Sequence, residues 1–358
     1  MKLLDKYILK KLLTTFLFTV IIFVVVICVI DFTENNDDFI SEKIPYSEIF
    51  GVYYLNYIPY LANMLSPILI FIATVVVTAQ LAARTEIIAM FNSGMSFIRV
   101  LVPYIIGSLL IGGLTFFLIG WIIPHATKKR AEFETKYLKG QFYFEGQNVH
   151  MKIAPNVYMY VKNYNNITQT GFDFTLETIK DNKLLSKLKA TQIKWDSVKN
   201  KWSIREYSLR TFKNGQETLV RGVNIDTTIN IYPSDFEETK RLYATFDNQE
   251  LNARIARLKE RGSEEVAAYL TEKYERYTYP FAILILTVIA VIVSARKSRQ
   301  GTGFQIAFGF ALAMIYILFV IMSRSVAHLG DIDPLVGAWV PNILFSFIGF
   351  IMYKTLPR

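Results

Sequence analysis

Six apolar runs, each long enough to cross a lipid bilayer, constrain this chain more than any other feature of its sequence. About 20 apolar residues in a helix span the hydrocarbon core of a membrane. The predicted spans are Leu12–Ile30, Leu55–Ala83, Phe97–Ile123, Tyr274–Ala295, Phe304–Ser323 and Leu335–Tyr353. The sequence therefore predicts a membrane α-helical protein with six transmembrane helices, the third of which is predicted to end at Pro124.

Charged residues at the ends of these runs predict how the chain crosses the membrane. Short loops rich in lysine and arginine stay on the cytoplasmic side. Basic residues gather before the first run, near residues 84–99, at Arg296–Arg299 and after the last run, whereas residues 31–48 hold six acids and one base, Lys43. Both termini are therefore predicted to be cytoplasmic, and the polar insert after the third span is predicted to lie outside.

Pro59 and Pro67 interrupt the second run, which also contains polar residues such as Asn63 and Ser66. Proline and polar residues are tolerated in a span where neighbouring helices or water satisfy the backbone. The outer half of this span is therefore predicted to face the interior of the bundle or a cavity. Hydrogen bonding between helices is an equally good explanation.

The polar insert alternates with a period of two from Phe142 to about Tyr232, and Asn214–Gly215 is its clearest hairpin turn. Phe172, Phe174 and Leu176 are predicted to share one face of a strand. Short strands of this kind predict a sandwich, a jelly roll or an open barrel.

The period becomes helical again after the strands, with a break predicted at Gly262. The predicted divisions are 1–123 (transmembrane helices 1–3), 124–246 (β domain with an entry helix), 247–273 (amphipathic interfacial helices) and 274–358 (transmembrane helices 4–6).

Several functional classes are excluded by what the sequence lacks. Cys28 is the only cysteine, so no disulfide within the chain is possible, and the three histidines are far apart. No phosphate-binding loop, nucleophile elbow or zinc-protease motif occurs. We therefore predict no catalytic residue, metal, cofactor or nucleic-acid partner.

The segment Arg84–Gly94 is a short charged stretch between the second and third runs, and it is too apolar for a simple linker. Gly94 is a plausible helix stop because glycine adopts positive φ at low cost. An ordinary tight loop would explain the segment, but its apolar content favours a small helix that docks on another protein.

Basic residues near the outer ends of the spans have two explanations. Arg324, with His328 one turn later, is either an interfacial arginine reaching the head groups or a contact for an anionic ligand. Lys128–Arg130 is either a solvated basic face or a phosphate clamp. Lys43 and Lys136 are further candidates for the same cationic surface.

Three stretches carry a resemblance to a known family. They are Arg84–Gly94, the Trp121–Pro124 exit of the third span, and Arg257–Gly262 followed by Tyr279–Pro280. Together with six spans and a β insert after the third, they resemble the LptF/LptG (YjgP/YjgQ) lipopolysaccharide export permeases. The last stretch resembles the LptG branch more than the LptF branch.

The resemblance implies a non-catalytic permease of an ABC transporter in the bacterial inner membrane, with its insert a periplasmic β-jellyroll. Implied partners are an LptB-like cytoplasmic ATPase dimer, a second LptF-like permease, an LptC/LptA-like jellyroll protein and lipopolysaccharide. Residues 84–94 would be the coupling helix, with Glu86 at a charged contact to the ATPase. The residues assigned to coupling are Arg84, Thr85, Glu86, Ile87, Met90 and Gly94.

One stretch departs from the LptG pattern. Residues 31–38 are acidic where that branch carries lysines that meet lipid phosphates, so those contacts are not carried over. Either Lys43, Lys128–Arg130 and Arg324 replace them, or the charge of the substrate differs, or divalent cations bridge. The alternative function is a membrane-anchored sensor or assembly factor whose β domain binds a protein.

Overall fold

A computed structural model describes residues 3–138, 146–165, 168–213, 216–236, 242–261, 265–295 and 302–355. Within these residues, six helices are long and apolar enough to cross a membrane, and an antiparallel sheet lies between the third and fourth of them. The predicted class, a helical membrane protein with an inserted all-β domain, is therefore confirmed. The predicted Asn214–Gly215 turn, the Gly262 break and the Arg296–Arg299 loop lie outside the described residues.

Two compact units divide the chain. The helical unit comprises Met1–Leu138, Tyr243–Asn248 and Ala267–Arg358, and the β unit comprises Lys139–Leu242 and Gln249–Val266. The helices are α1 (Leu3–Ser41), α2 (Tyr46–Glu48), α3 (Leu55–Ala83), α4 (Glu86–Asn92), α5 (Phe97–Phe117), α6 (Ile123–Phe133), α7 (Asn248–Arg261), α8 (Val266–Ser294), α9 (Thr302–Leu329) and α10 (Pro334–Lys354).

The helix of the third span continues past Pro124, where the sequence predicts the end of the span, directly into the predicted entry helix. A π-helical stretch, Leu118–Ile122, joins α5 to α6, and Pro124 lies in the first turn of α6. A proline is tolerated there because the first turn of a helix does not need its N–H group. The third helical rod therefore continues to Leu138 through a further π-helical stretch, Glu134–Leu138.

Close packing of α1 on α5 forms part of the core of the helical unit. Leu12 and Tyr104 are buried in this core, and the Thr78 hydroxyl donates to the Tyr104 hydroxyl at 3.0 Å. Gly107 lies so near Leu12 that a Cβ there would come within 2.7 Å of the leucine side chain. The absence of a side chain at Gly107 therefore lets α1 and α5 approach closely.

Six antiparallel strands form the sheet of the β unit, and each pairs with the next along the chain. They are β1 (Gly146–Ala154), β2 (Val157–Asn165), β3 (Thr170–Lys180), β4 (Lys183–Asp196), β5 (Lys201–Lys213) and β6 (Gln216–Thr227). The described strands thus follow one another as a meander, which leaves β1 and β6 at the two edges.

The interior of the β unit is a packed apolar core. Phe174 and Trp202 are fully buried, and the Trp202 indole N–H donates to the Ile231 carbonyl at 2.8 Å. Phe172 is 46% exposed, although it was predicted to share the face of Phe174. Asp173 between them has φ +51°, and this left-handed residue interrupts the strict alternation of faces.

Helix α7 belongs to the β unit. Leu251, Ile255 and Leu258 are buried at helical spacing along one side of it. Arg254 pairs with the buried Asp235 at 2.6 Å. Helix α8, in contrast, runs unbroken from Val266 through the predicted start of the fourth span at Tyr274.

Candidate functional site

The turn before α4 sets the direction of the predicted coupling segment. Thr85 has φ +60° and Gly94 has φ +83°, so left-handed residues stand on either side of α4. Glu86 lies in the first turn of α4, where the helix dipole favours a carboxylate. Arg84 and Thr85 are exposed beside it. The segment is therefore a short helix between two tight turns, as the sequence predicts.

Two of the predicted coupling residues point into the protein. Ile87 and Met90 are buried, and they belong to the same core cluster as Ile8 and Leu12 of α1. Ile88 and Phe91 are each 37% exposed on the other side of α4. Ile88 and Phe91 are not among the coupling residues assigned from the sequence, because they have the same i, i+3 spacing as Ile87 and Met90. Ile87 and Met90 anchor α4, and Ile88 and Phe91 form its apolar outer face.

The start of α1 makes polar contacts with α4 and with the start of α5. Arg99 pairs with the buried Asp5 at 2.8 Å. The Tyr7 hydroxyl donates to Glu86 at 3.2 Å. Ser96 caps α5, accepting a hydrogen bond from the Arg99 backbone N–H. The orientation of α4 is therefore fixed against two neighbouring helices, α1 and α5.

Arg130 lies in an aromatic cluster near the C-terminal ends of α1 and α6. Its guanidinium carbon is 3.5 Å from the centre of the Tyr57 ring, and Nε pairs with Glu134 at 2.8 Å. The hydroxyls of Tyr53 and Tyr54 donate to Asp31 at 3.3 and 3.0 Å. Tyrosine hydroxyls therefore satisfy Asp31, the first of the acids between the first and second spans.

The other basic candidates at this end differ in their surroundings. Lys43, Lys128 and Lys129 are exposed. The Lys136 ammonium donates to the Tyr137 hydroxyl at 2.6 Å, and that hydroxyl donates to Glu48 at 2.6 Å. Three lysines therefore remain open to an anionic partner, while Lys136 is tied to its own chain.

Arg324 is paired within the protein, an arrangement that neither of the two explanations drawn from the sequence includes. Its guanidinium contacts Glu272 and Glu275, each at 3.0 Å. Arg276 also contacts Glu272, at 3.2 Å, and donates to the Tyr243 carbonyl. The two carboxylates escaped prediction because they lie on either side of the expected start of the fourth span at Tyr274, where the sequence changes from polar to apolar.

His328 completes this region, with its ring 5.6 Å from the centre of the Tyr243 ring. Its Nε2 atom is buried and has no hydrogen-bond partner among the described residues. The described part of the chain also contains no group of three or more His, Cys, Asp or Glu residues that could hold a metal ion.

The fold defines a class: a multi-pass membrane protein with a β domain inserted between its third and fourth spans. Residues 6–355 match the model of the lipopolysaccharide export system permease LptF/LptG family. The chain therefore belongs to the LptF/LptG permease family. That model covers both branches, so the LptG-like assignment stays a prediction. No curated protein matches the chain.

Proposed function

We propose that the chain is the permease subunit of an ABC transporter that extracts lipopolysaccharide from the inner membrane. A separate ATPase supplies the energy, and a periplasmic β-rich bridge receives the lipid. The observation that carries this proposal is the family match across nearly the whole chain, joined to six spans and one β insert. Exposing several acyl chains to water costs roughly 0.8 kcal/mol per CH₂, so extraction needs an external energy source.

The charge pattern supports an orientation with both termini and α4 in the cytoplasm and the β unit in the periplasm. In that orientation α4 faces the cytoplasmic ATPase with Ile88 and Phe91 exposed, and Arg84 and Glu86 lie beside them. An apolar face of this size with charged neighbours suits a small protein–protein contact. The second permease would bind along the membrane helices.

Lys43, Lys128 and Lys129 are the side chains that we propose for the lipid phosphates. They are exposed, whereas Arg324 and Arg130 already have carboxylate partners. Phosphate groups bind such cations by charge-assisted hydrogen bonds.

The edge strand β6 is our proposed contact for the periplasmic jellyroll partner. Leu219, Val220, Val223 and Ile225 are all exposed on it. An edge strand offers unpaired backbone groups to a strand of another protein, and exposed apolar side chains strengthen that pairing.

Reconstitution tests the proposed function directly. The permease, purified with the ATPase and second permease that it retains, is placed in liposomes containing lipopolysaccharide, and the β-rich acceptor is added outside. ATP is expected to move lipopolysaccharide to the acceptor, and omission of ATP to prevent it. Failure of the chain to retain any ATPase would contradict the proposal.

One observation favours the second candidate function, a membrane-anchored sensor. Phe174 and Trp202 are fully buried, so this part of the β unit is a closed core rather than an open slot. A photocrosslinker at the half-buried Leu188 distinguishes the two, with the exposed Val198 as its control. Crosslinks to lipopolysaccharide at position 188 support export, and crosslinks only to protein support the sensor.

A further inference from the structure

Pro67 leaves a gap in the hydrogen bonding of α3. Proline has no backbone N–H, so the carbonyl of Asn63, four residues earlier, loses its helical donor. Next to it, the Ser66 hydroxyl donates back to the Ala62 carbonyl at 2.7 Å, a contact that bends helices. The two features make this turn of α3 a natural hinge.

Tyr279 of α8 fills that gap from outside the helix. Its hydroxyl lies 2.6 Å from the Asn63 carbonyl oxygen and 3.0 Å from that of Met64. The shorter of the two contacts goes to the carbonyl that Pro67 leaves without its helical donor. A side chain of α8 therefore takes the place of the missing backbone bond in α3.

The same turn of α8 is where several other helices meet. The Asn342 amide of α10 donates to the Thr278 carbonyl at 3.2 Å, and it accepts at 2.8 Å from the Tyr316 hydroxyl of α9. Gly112 of α5 lies against Pro280, where a Cβ would sit 3.4 Å from the proline ring. A displacement at Thr278–Pro280 therefore changes contacts with α3, α5 and α10, and with α9 through Asn342.

Helix α3 ends only two residues before α4, at Ala83. A force on α4 therefore acts directly on α3, whose backbone hydrogen bonding is interrupted at Pro67. A helix whose backbone hydrogen bonds are all present resists bending. At Pro67 the hydrogen bond comes instead from the long Tyr279 side chain, which keeps its contact with the Asn63 carbonyl while the turn opens.

We propose that Tyr279 is a positioning residue of the transport cycle, which passes movement from α3 to α8 through its bond to the Asn63 carbonyl. This rests on the proposed function, because the movement begins with an ATPase at α4. Tyr279 touches neither nucleotide nor lipid in this account. It keeps the hinge attached to the helix that leads to the β unit along the chain.

The test compares variants of the whole complex in liposomes, with ATP hydrolysis and lipopolysaccharide release measured separately. Tyr279→Phe removes only the hydroxyl. Tyr277→Phe is the matched control, because Tyr277 is an exposed tyrosine two residues away. Loss of one hydrogen bond is expected to reduce the lipid released per ATP by roughly five-fold in Tyr279→Phe. ATP hydrolysis and complex assembly should stay within about two-fold of wild type. In free energy, a two-fold change is well below the 1.4 kcal/mol that corresponds to a ten-fold change.

Pro67→Ala makes the test specific to the hinge. Alanine restores a backbone N–H for the Asn63 carbonyl, so adding Tyr279→Phe to Pro67→Ala should lower the ratio no further. An unchanged ratio in Tyr279→Phe, or an equal fall in both backgrounds, would overturn the proposal. A wild-type complex that releases no lipopolysaccharide would instead show that the proposed function is wrong.

Discussion

Asp5 is a carboxylate that the structure buries near the start of α1, and Arg99 at the start of α5 pairs with it. On the sequence alone, Asp5 is a single acid among lysines, and Arg99 is one more basic residue of the cytoplasmic side. Their pairing shows that some charged residues serve to hold helices together, so a count of charges does not identify a binding surface.

Replacing Asp5 by alanine should lower the stability of the permease. The substitution leaves the Arg99 guanidinium, two-thirds buried, without its carboxylate. The expected loss is about 1–2 kcal/mol, between the values for exposed and buried pairs. Thermal unfolding in detergent measures it, with Lys6→Ala as the exposed control. Equal midpoints for the two variants would show that the pair contributes nothing.

Arg324→Gln separates a structural from a ligand-binding role at this position. It leaves Glu272 and Glu275 close together without the arginine between them, so the unfolding temperature should fall. Adding Glu275→Gln should restore part of the loss, because it removes one of the two facing charges and leaves the Glu272–Arg276 pair intact. Lys6→Gln is the control, because Lys6 is exposed and is not one of the proposed lipid contacts. Unchanged stability with weaker lipopolysaccharide binding would instead favour the anionic-ligand contact that the sequence suggested.

Helix α4 shows which features of a single helix can be predicted from its sequence. Its existence, its left-handed end at Gly94 and its charged first turn follow from residue types. Its inward face does not, because Ile87 with Met90 and Ile88 with Phe91 have the same spacing. Only the packing of α4 against α1, α3 and α5 decides which pair is buried.

Phe91→Ser should therefore abolish retention of the ATPase while the permease stays folded. The serine removes an exposed apolar contact of the kind that dominates small interfaces, where losses of about 2 kcal/mol are common. Met90→Leu is the matched control, because it conserves volume at a buried position. Co-purification of the ATPase with each variant is the measurement. Retention by Phe91→Ser at the wild-type level would remove α4 from the contact.

The edge strand β6 makes a second prediction at this scale. Val223 is 80% exposed, and Val223→Lys places a charge where an added strand would lie. Binding of the β-rich acceptor should weaken about ten-fold or more, as for a loss of 1.4 kcal/mol. Val198→Lys, in the turn between β4 and β5, is the control. Equal binding by both variants would place the partner elsewhere.

At the scale of the whole molecule, hydropathy and periodicity predict the architecture well. Six spans and an inserted β domain follow from the polarity of the sequence, because long apolar runs favour lipid and polar segments favour water. The structure departs from these predictions where contacts with neighbouring residues override a local sequence rule. Pro124 continues a helix after a π-helical stretch, Phe172 is exposed beyond a left-handed Asp173, and Arg324 is paired with carboxylates. Each depends on contacts distant in sequence or on backbone geometry that residue type alone does not determine.

The most direct test of the account is ATP-driven release of lipopolysaccharide by the reconstituted complex, compared between wild type and Phe91→Ser. The account predicts release to the acceptor with ATP in the wild type, and none in the variant, whose β unit remains folded. Release that proceeds equally without ATP, or equally in Phe91→Ser, would contradict the claim that a separate motor drives this permease through α4.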